Sequence, residues 1–107
     1  MALHHILEHR LQDLGFSMEE AAVYLALLEL GPQPASVVAR KAGLKRGHTY
    51  NLLSSLSEKG IVQEFEKRKV KQFTATPPQG LFAVLDRKKE ELEQQKQHLT
   101  EVLPLLE

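Results

Sequence analysis

The sequence contains no cysteine. That excludes a disulfide framework, a thiolate nucleophile and a cysteine-based zinc site, and it fits a reducing cytoplasm. Long apolar runs are missing too. The longest covers residues 21–28, far short of the roughly 20 residues that span a bilayer. The start, Met-Ala-Leu-His-His, has no cationic region of the kind that opens a secretion signal, so neither export nor membrane insertion is expected. There is no glycine-rich phosphate loop, no nucleophile beside a base and no pair of carboxylates in a definable pocket, and hence no basis for an enzyme or a cofactor. Net charge is also absent, with 14 Lys and Arg against 14 Asp and Glu, which argues against a nonspecific nucleic-acid coat.

The charge is unevenly spread. Residues 1–39 hold one Arg against five acids, residues 40–71 hold nine Lys and Arg against three acids, and residues 72–107 hold four against six. A positive stripe on a neutral chain is the footprint expected when one face meets phosphate. At its centre lies the stretch from Gly43 to Gly60. Thr49, Leu52, Leu53 and Leu56 stand at i, i+3, i+4 and i+7, an apolar stripe for packing on a core. Arg46, Gly47, Tyr50, Asn51 and Ser54 fall on the opposite face, with Lys45 and His48 at the helix entrance. Arg and Asn are the side chains whose geometry matches guanine and adenine edges. The face is therefore either a DNA-reading surface or an ordinary solvated one.

The remaining elements favour the first. A helix over residues 2–14 carries Leu3, Ile6, Leu7, Leu11 and Leu14 on one side, with Gly15 as its stop. His5 and His9 have the i, i+4 spacing of a metal pair. Without a third ligand placed by sequence they read as surface histidines, so no metal is expected. Ser17-Met-Glu-Glu20 is a capping box that starts a second helix, apolar nearly all round and ended by Gly31-Pro32. Pro32 and Pro34 make a rigid connector to a third helix over residues 35–41, with Val37 and Val38 inward and Arg40 and Lys41 outward. A short helix, a turn containing Gly43 and a helix with a polar face constitute a helix-turn-helix.

After Gly60 the pattern turns extended. Residues 61–66 and 70–75 are β-prone and joined by Lys67-Arg68-Lys69, a hairpin with a basic tip. With Lys71, such a hairpin forms a wing whose cations reach phosphate, although the same cations guard an edge strand against aggregation. Residues 79–103 then read as one long helix, with Pro104 stopping or kinking it near Leu103. Leu85, Leu92 and Leu99 repeat every seven residues, and the companion heptad positions are thin, ending in Val102 or Leu103. The helix needs a partner, most simply a second copy.

These stretches together resemble the TrmB family of winged-helix transcriptional regulators. The resemblance lies in residues 14–31, 38–44, 49–53 and 56–62, and in Phe73-Thr-Ala-Thr-Pro-Pro leading into the long helix. It implies a mainly α chain with a β-hairpin, namely a winged helix-turn-helix over residues 1–78 followed by a coiled-coil dimerisation helix over residues 79–107. It also implies a homodimeric double-stranded DNA binder; larger members carry a further effector domain that often binds sugars. The chain departs from the family pattern at Gly47, where a longer polar side chain is usual, and at Arg68, where the wing turn commonly has Gly. The residues expected at DNA are Arg40, Lys45, Arg46, Gly47, His48, Tyr50, Asn51, Ser54, Lys67, Arg68, Lys69 and Lys71. Leu85, Leu92, Leu99, Val102 and Leu103 are expected at the dimer seam. The competing expectation is a winged-helix protein-interaction module that binds no DNA.

Overall fold

The computed structural model describes residues 2–107. The chain divides after Pro77 into two units. The first contains four helices, α1 (Ala2–Asp13), α2 (Met18–Leu30), α3 (Ala35–Ala42) and α4 (Arg46–Glu58), and three strands, β1 (Gln33–Pro34), β2 (Val62–Lys67) and β3 (Val70–Ala75). The second is a 3-10 turn, Pro78–Gly80, leading into α5 (Leu81–Leu106).

Local sequence chemistry sets the helix ends. The capping box at α2 is complete: the Ser17 hydroxyl accepts from the Glu20 amide at 3.0 Å, and the Glu20 carboxylate accepts from the Ser17 amide at 2.8 Å. Gly43 closes α3 in the left-handed conformation, φ 73°, with its N–H donating to the Ala39 carbonyl. The three-residue turn Gly43-Leu44-Lys45 then leads directly into α4.

The core forms where α2, α3 and α4 meet the sheet. Val23, Tyr24, Leu27, Val38, Leu53, Leu56, Val62 and Phe73 are its fully covered large side chains. Each contributes about 1.5–3 kcal/mol over leaving it in water. Thr49, equally buried, satisfies its hydroxyl on the Lys45 carbonyl at 2.9 Å. Thr76 closes the unit: its carbonyl accepts from the Tyr24 hydroxyl at 2.7 Å, its N–H donates to Ile61 at 2.9 Å, and its hydroxyl donates to Gly60 at 2.7 Å. Burial raises the Tyr24 phenol above its ordinary value, so it remains a donor.

Four sequence expectations need correction. Residues 33–34 are a short strand pairing antiparallel with β3, giving the order β1-β3-β2, where a bare connector was expected. Pro34 lacks an amide but keeps its extended backbone and carbonyl, which suffices at a sheet edge. The inward face of α3 is Ala35, Val38 and Ala39, with Val37 only half-buried. Helix α1 ends at Asp13, and Leu3, Ile6, Leu7 and Leu14 are exposed. Finally, α5 starts at Leu81 after the 3-10 turn and runs through Pro104 to Leu106. A proline so near a helix end removes one hydrogen bond without leaving a long segment to redirect.

Candidate nucleic-acid interface

Burying Thr49, Leu53 and Leu56 against the core dictates which side of α4 faces water. Arg46, Gly47, His48, Tyr50 and Asn51 are exposed, Ser54 is half-buried, and Lys45 is exposed at the N-cap. Lys45 supplies no side-chain cap to the helix. A Cβ built on Gly47 would meet no atom within 4 Å, so packing does not demand glycine there.

The wing is a tight hairpin. Lys67 pairs with Val70, leaving Arg68 and Lys69 as a two-residue loop. Both have positive φ, 53° and 65°, as a type I′ turn requires at its two central positions. The expected glycine is thus replaced by two cations held in a conformation that costs L-residues roughly 1–2 kcal/mol each. Lys67, Arg68, Lys69 and Lys71 are all exposed.

Three of the expected site residues are already engaged. Lys71 on β3 donates to the Tyr50 hydroxyl on α4 at 3.1 Å and lies 5.5 Å from the centre of that ring. Tyr50 in turn stands edge-on to buried Phe73, with ring centroids 6.0 Å apart. The Tyr50 hydrogen bond, and next the Glu64 carboxylate 3.8 Å away, hold the Lys71 ammonium above its ordinary pKa. His48 meets Glu19, from the first turn of α2, at 2.8 Å. Glu19, Glu64 and Phe73 were not among the expected site residues. Glu19 and His48 are 29 positions apart, and nothing local in the chain signals their meeting.

The other cations expected at DNA form no ion pair. Among the described residues, Arg40, Lys45, Arg46, Lys67, Arg68 and Lys69 pair with no carboxylate, whereas Lys41 pairs with Glu29 and Lys59 with Glu20. Free cations thus stand on the last turn of α3, at the entrance of α4 and along the wing tip. His5 and His9 line a shallow groove with Arg10 and Asp13. No group of three metal-capable side chains is present among the described residues.

This arrangement of helix-turn-helix and wing has known counterparts. Residues 11–79 match the family described as sugar-specific transcriptional regulator TrmB. The chain belongs to the TrmB family. It is 42% identical over 53 residues to TrmBL1 of Pyrococcus furiosus, an HTH-type sugar-sensing transcriptional regulator, a match covering 50% of this chain and 16% of that protein. Among solved structures it is similar to TrmBL2, an archaeal chromatin protein described as showing a novel mode of DNA binding, with a TM-score of 0.71 and 27% identity over 96% of this chain and 43% of the other. AbfR bound to DNA shares the fold, with a TM-score of 0.58 and 24% identity over 92% of this chain and 84% of AbfR. The chain thus spans less than half the length of both TrmB relatives.

Proposed function

We propose that this TrmB-family chain is a sequence-specific double-stranded DNA-binding transcriptional regulator, acting in the cytoplasm as a homodimer. One observation carries the reading. The free cations, Arg40, Lys45, Arg46, Lys67, Arg68 and Lys69, surround the exposed face of α4 and occupy the wing tip of a fold whose family is one of transcriptional regulators.

Residues 1–78 are the DNA-binding module in this reading, and residues 79–107 the dimerisation helix. Arg46 and Asn51, with His48, read base edges in the major groove. Tyr50 packs on a sugar or a thymine methyl, Ser54 adds a short donor, and Gly47 lets the helix backbone approach closely. Arg40, Lys45, Lys67, Arg68, Lys69 and Lys71 position the chain on phosphate. Leu85, Leu92, Leu99, Val102 and Leu103, all exposed on α5, form the seam between two copies. Two α4 helices then enter major grooves about one turn, or 34–36 Å, apart on a pseudo-palindromic site. The chain works by binding and catalyses nothing.

Selection from a randomised duplex library tests this. The expected result is enrichment of one site with two inverted half-sites. Enrichment of nothing across successive rounds at low salt would reject sequence-specific recognition. It would favour the second reading, a protein-interaction module, which the Glu19 and Glu64 carboxylates on the same face support.

A further inference from the structure

We infer that Glu19 is a positioning residue for base recognition: its carboxylate keeps the His48 proton on Nε2, so that the ring meets DNA with Nδ1 as an acceptor and selects a base bearing an exocyclic amine. The inference rests on the DNA-binding reading above and adds to it the class of base that His48 takes.

The pair joins two elements. Glu19 stands in the first turn of α2 and His48 is the third residue of α4, with the Glu19 Oε1 2.8 Å from the His48 Nε2. The neighbouring acid, Glu20, is occupied, accepting from the Ser17 amide at 2.8 Å and pairing with the Lys59 ammonium at 3.2 Å. Glu19 is thus the carboxylate that α2 offers to the exposed face of α4. An ionised carboxylate only accepts hydrogen bonds, so the proton between the two groups belongs to Nε2. In the neutral ring Nδ1 then carries no proton and is an acceptor. Among the described residues the ring makes no second hydrogen bond. The His48 and Glu19 side chains are 48% and 49% exposed, so the ring is held at one nitrogen and open to a ligand at the other.

The tautomer decides the base. In the major groove guanine offers N7 and O6 and thymine offers O4, all acceptors, whereas adenine N6 and cytosine N4 carry amine donors. An unprotonated Nδ1 bonds either amine and is repelled by the guanine and thymine oxygens. Residues near the start of a recognition helix are the ones that meet base edges. Arg46, two positions earlier, carries only donors, so Arg46 and His48 read opposite halves of the donor and acceptor code. The Glu19 charge also opposes phosphate, which weakens every duplex alike. Its presence therefore lowers affinity while sharpening discrimination.

Two measurements test this. The first needs no DNA: long-range proton–nitrogen correlation spectra of the histidine rings at about pH 8.5, well above the ordinary imidazole value of roughly 6.5, with His48→Gln for assignment. The expected ring is protonated at Nε2 and bare at Nδ1. A ring protonated at Nδ1, or at both nitrogens, overturns the inference and leaves DNA binding standing. The second is competition binding at the position of the selected site whose preference His48→Ala abolishes. Adenine or cytosine should be favoured there by about fivefold, the worth of one net hydrogen bond. Glu19→Gln, whose amide can accept from the ring or donate to it, should erase that preference while tightening binding to a random duplex. In a His48→Ala background the same change should tighten binding and alter no preference. Guanine or thymine at that position, a preference that survives Glu19→Gln, or a His48→Ala chain as selective as wild type overturns the inference alone. A wild-type chain that enriches no site overturns the proposed function and the base preference together.

Discussion

The ammonium of Lys71 on the wing lies 3.1 Å from the hydroxyl of Tyr50 on α4, joining the hairpin to the helix that we propose reads DNA. The bond spans 21 positions and crosses two elements. Tyr50 also rests edge-on against Phe73 in the core. One side chain thus couples core packing, helix face and wing cation.

Substitutions at Tyr50 should separate these contributions. Tyr50→Phe keeps the aromatic pair and should leave urea unfolding nearly unchanged, whereas Tyr50→Ala should cost about 1 kcal/mol through the lost edge-to-face contact. Lys71→Ala should leave stability nearly unchanged, since its contacts with Tyr50 and Glu64 lie at the surface, and should weaken duplex binding. A large stability loss in Lys71→Ala would make the pair structural.

Gly47 should show a conflict between stability and binding. With no atom within 4 Å of a built Cβ, Gly47→Ala should raise the unfolding free energy by about 0.5–1 kcal/mol through helix propensity. It should also weaken binding to the selected site. Unchanged affinity would show that the backbone makes no close approach there.

Acid should act through Glu20. Burial pushes its carboxyl up, but the Ser17 amide and the Lys59 ammonium at 3.2 Å outweigh this and hold it below its ordinary value. The folded state therefore prefers the ionised form. That stabilisation is complete above the unfolded value near 4.5 and is lost as pH falls through the lower folded value. Urea unfolding from pH 7 to pH 3 should show the decline. Glu20→Gln keeps an acceptor for the Ser17 amide but loses the charge and the Lys59 ion pair, so it should cost about 0.5–1 kcal/mol at pH 7 and flatten the acid limb. An acid limb as steep as wild type would assign the loss to other carboxylates.

Base reading and phosphate contact should respond differently. Arg46→Ala should relax preference at one position of the site, by a factor corresponding to about 1–3 kcal/mol. Lys69→Ala should weaken every duplex alike and reduce the salt slope by about one unit. Competition binding against point-substituted sites distinguishes them, and identical behaviour of the two variants would dissolve the proposed division of roles.

Much of the fold was legible because local chemistry carried it. Ser17 and Glu20 announced the start of α2, Gly43 the turn, and the spacing of Thr49, Leu53 and Leu56 the exposed face of α4. What escaped depends on contacts between distant segments. Pro32-Gln-Pro34 has no strand pattern and becomes a strand only because β3 offers it an edge. The stripe of Leu3, Ile6 and Leu7 gives a helix its period but not its direction, and packing turned it outward. The expected interface residues were all readable as types in a pattern. Their partners were not: the approach of Glu19 to His48, and of Lys71 to Tyr50, exists only once α2, α4 and the wing are assembled.

The central claim is tested most directly by fluorescence anisotropy of a labelled random-sequence duplex titrated with the protein at several salt concentrations. Phosphate contact by the free cations predicts binding at low salt, with log affinity falling linearly in log salt by about 0.9 for each phosphate neutralised. No binding at low salt, or an affinity indifferent to salt, would contradict the account and leave the basic wing as a solvated sheet edge.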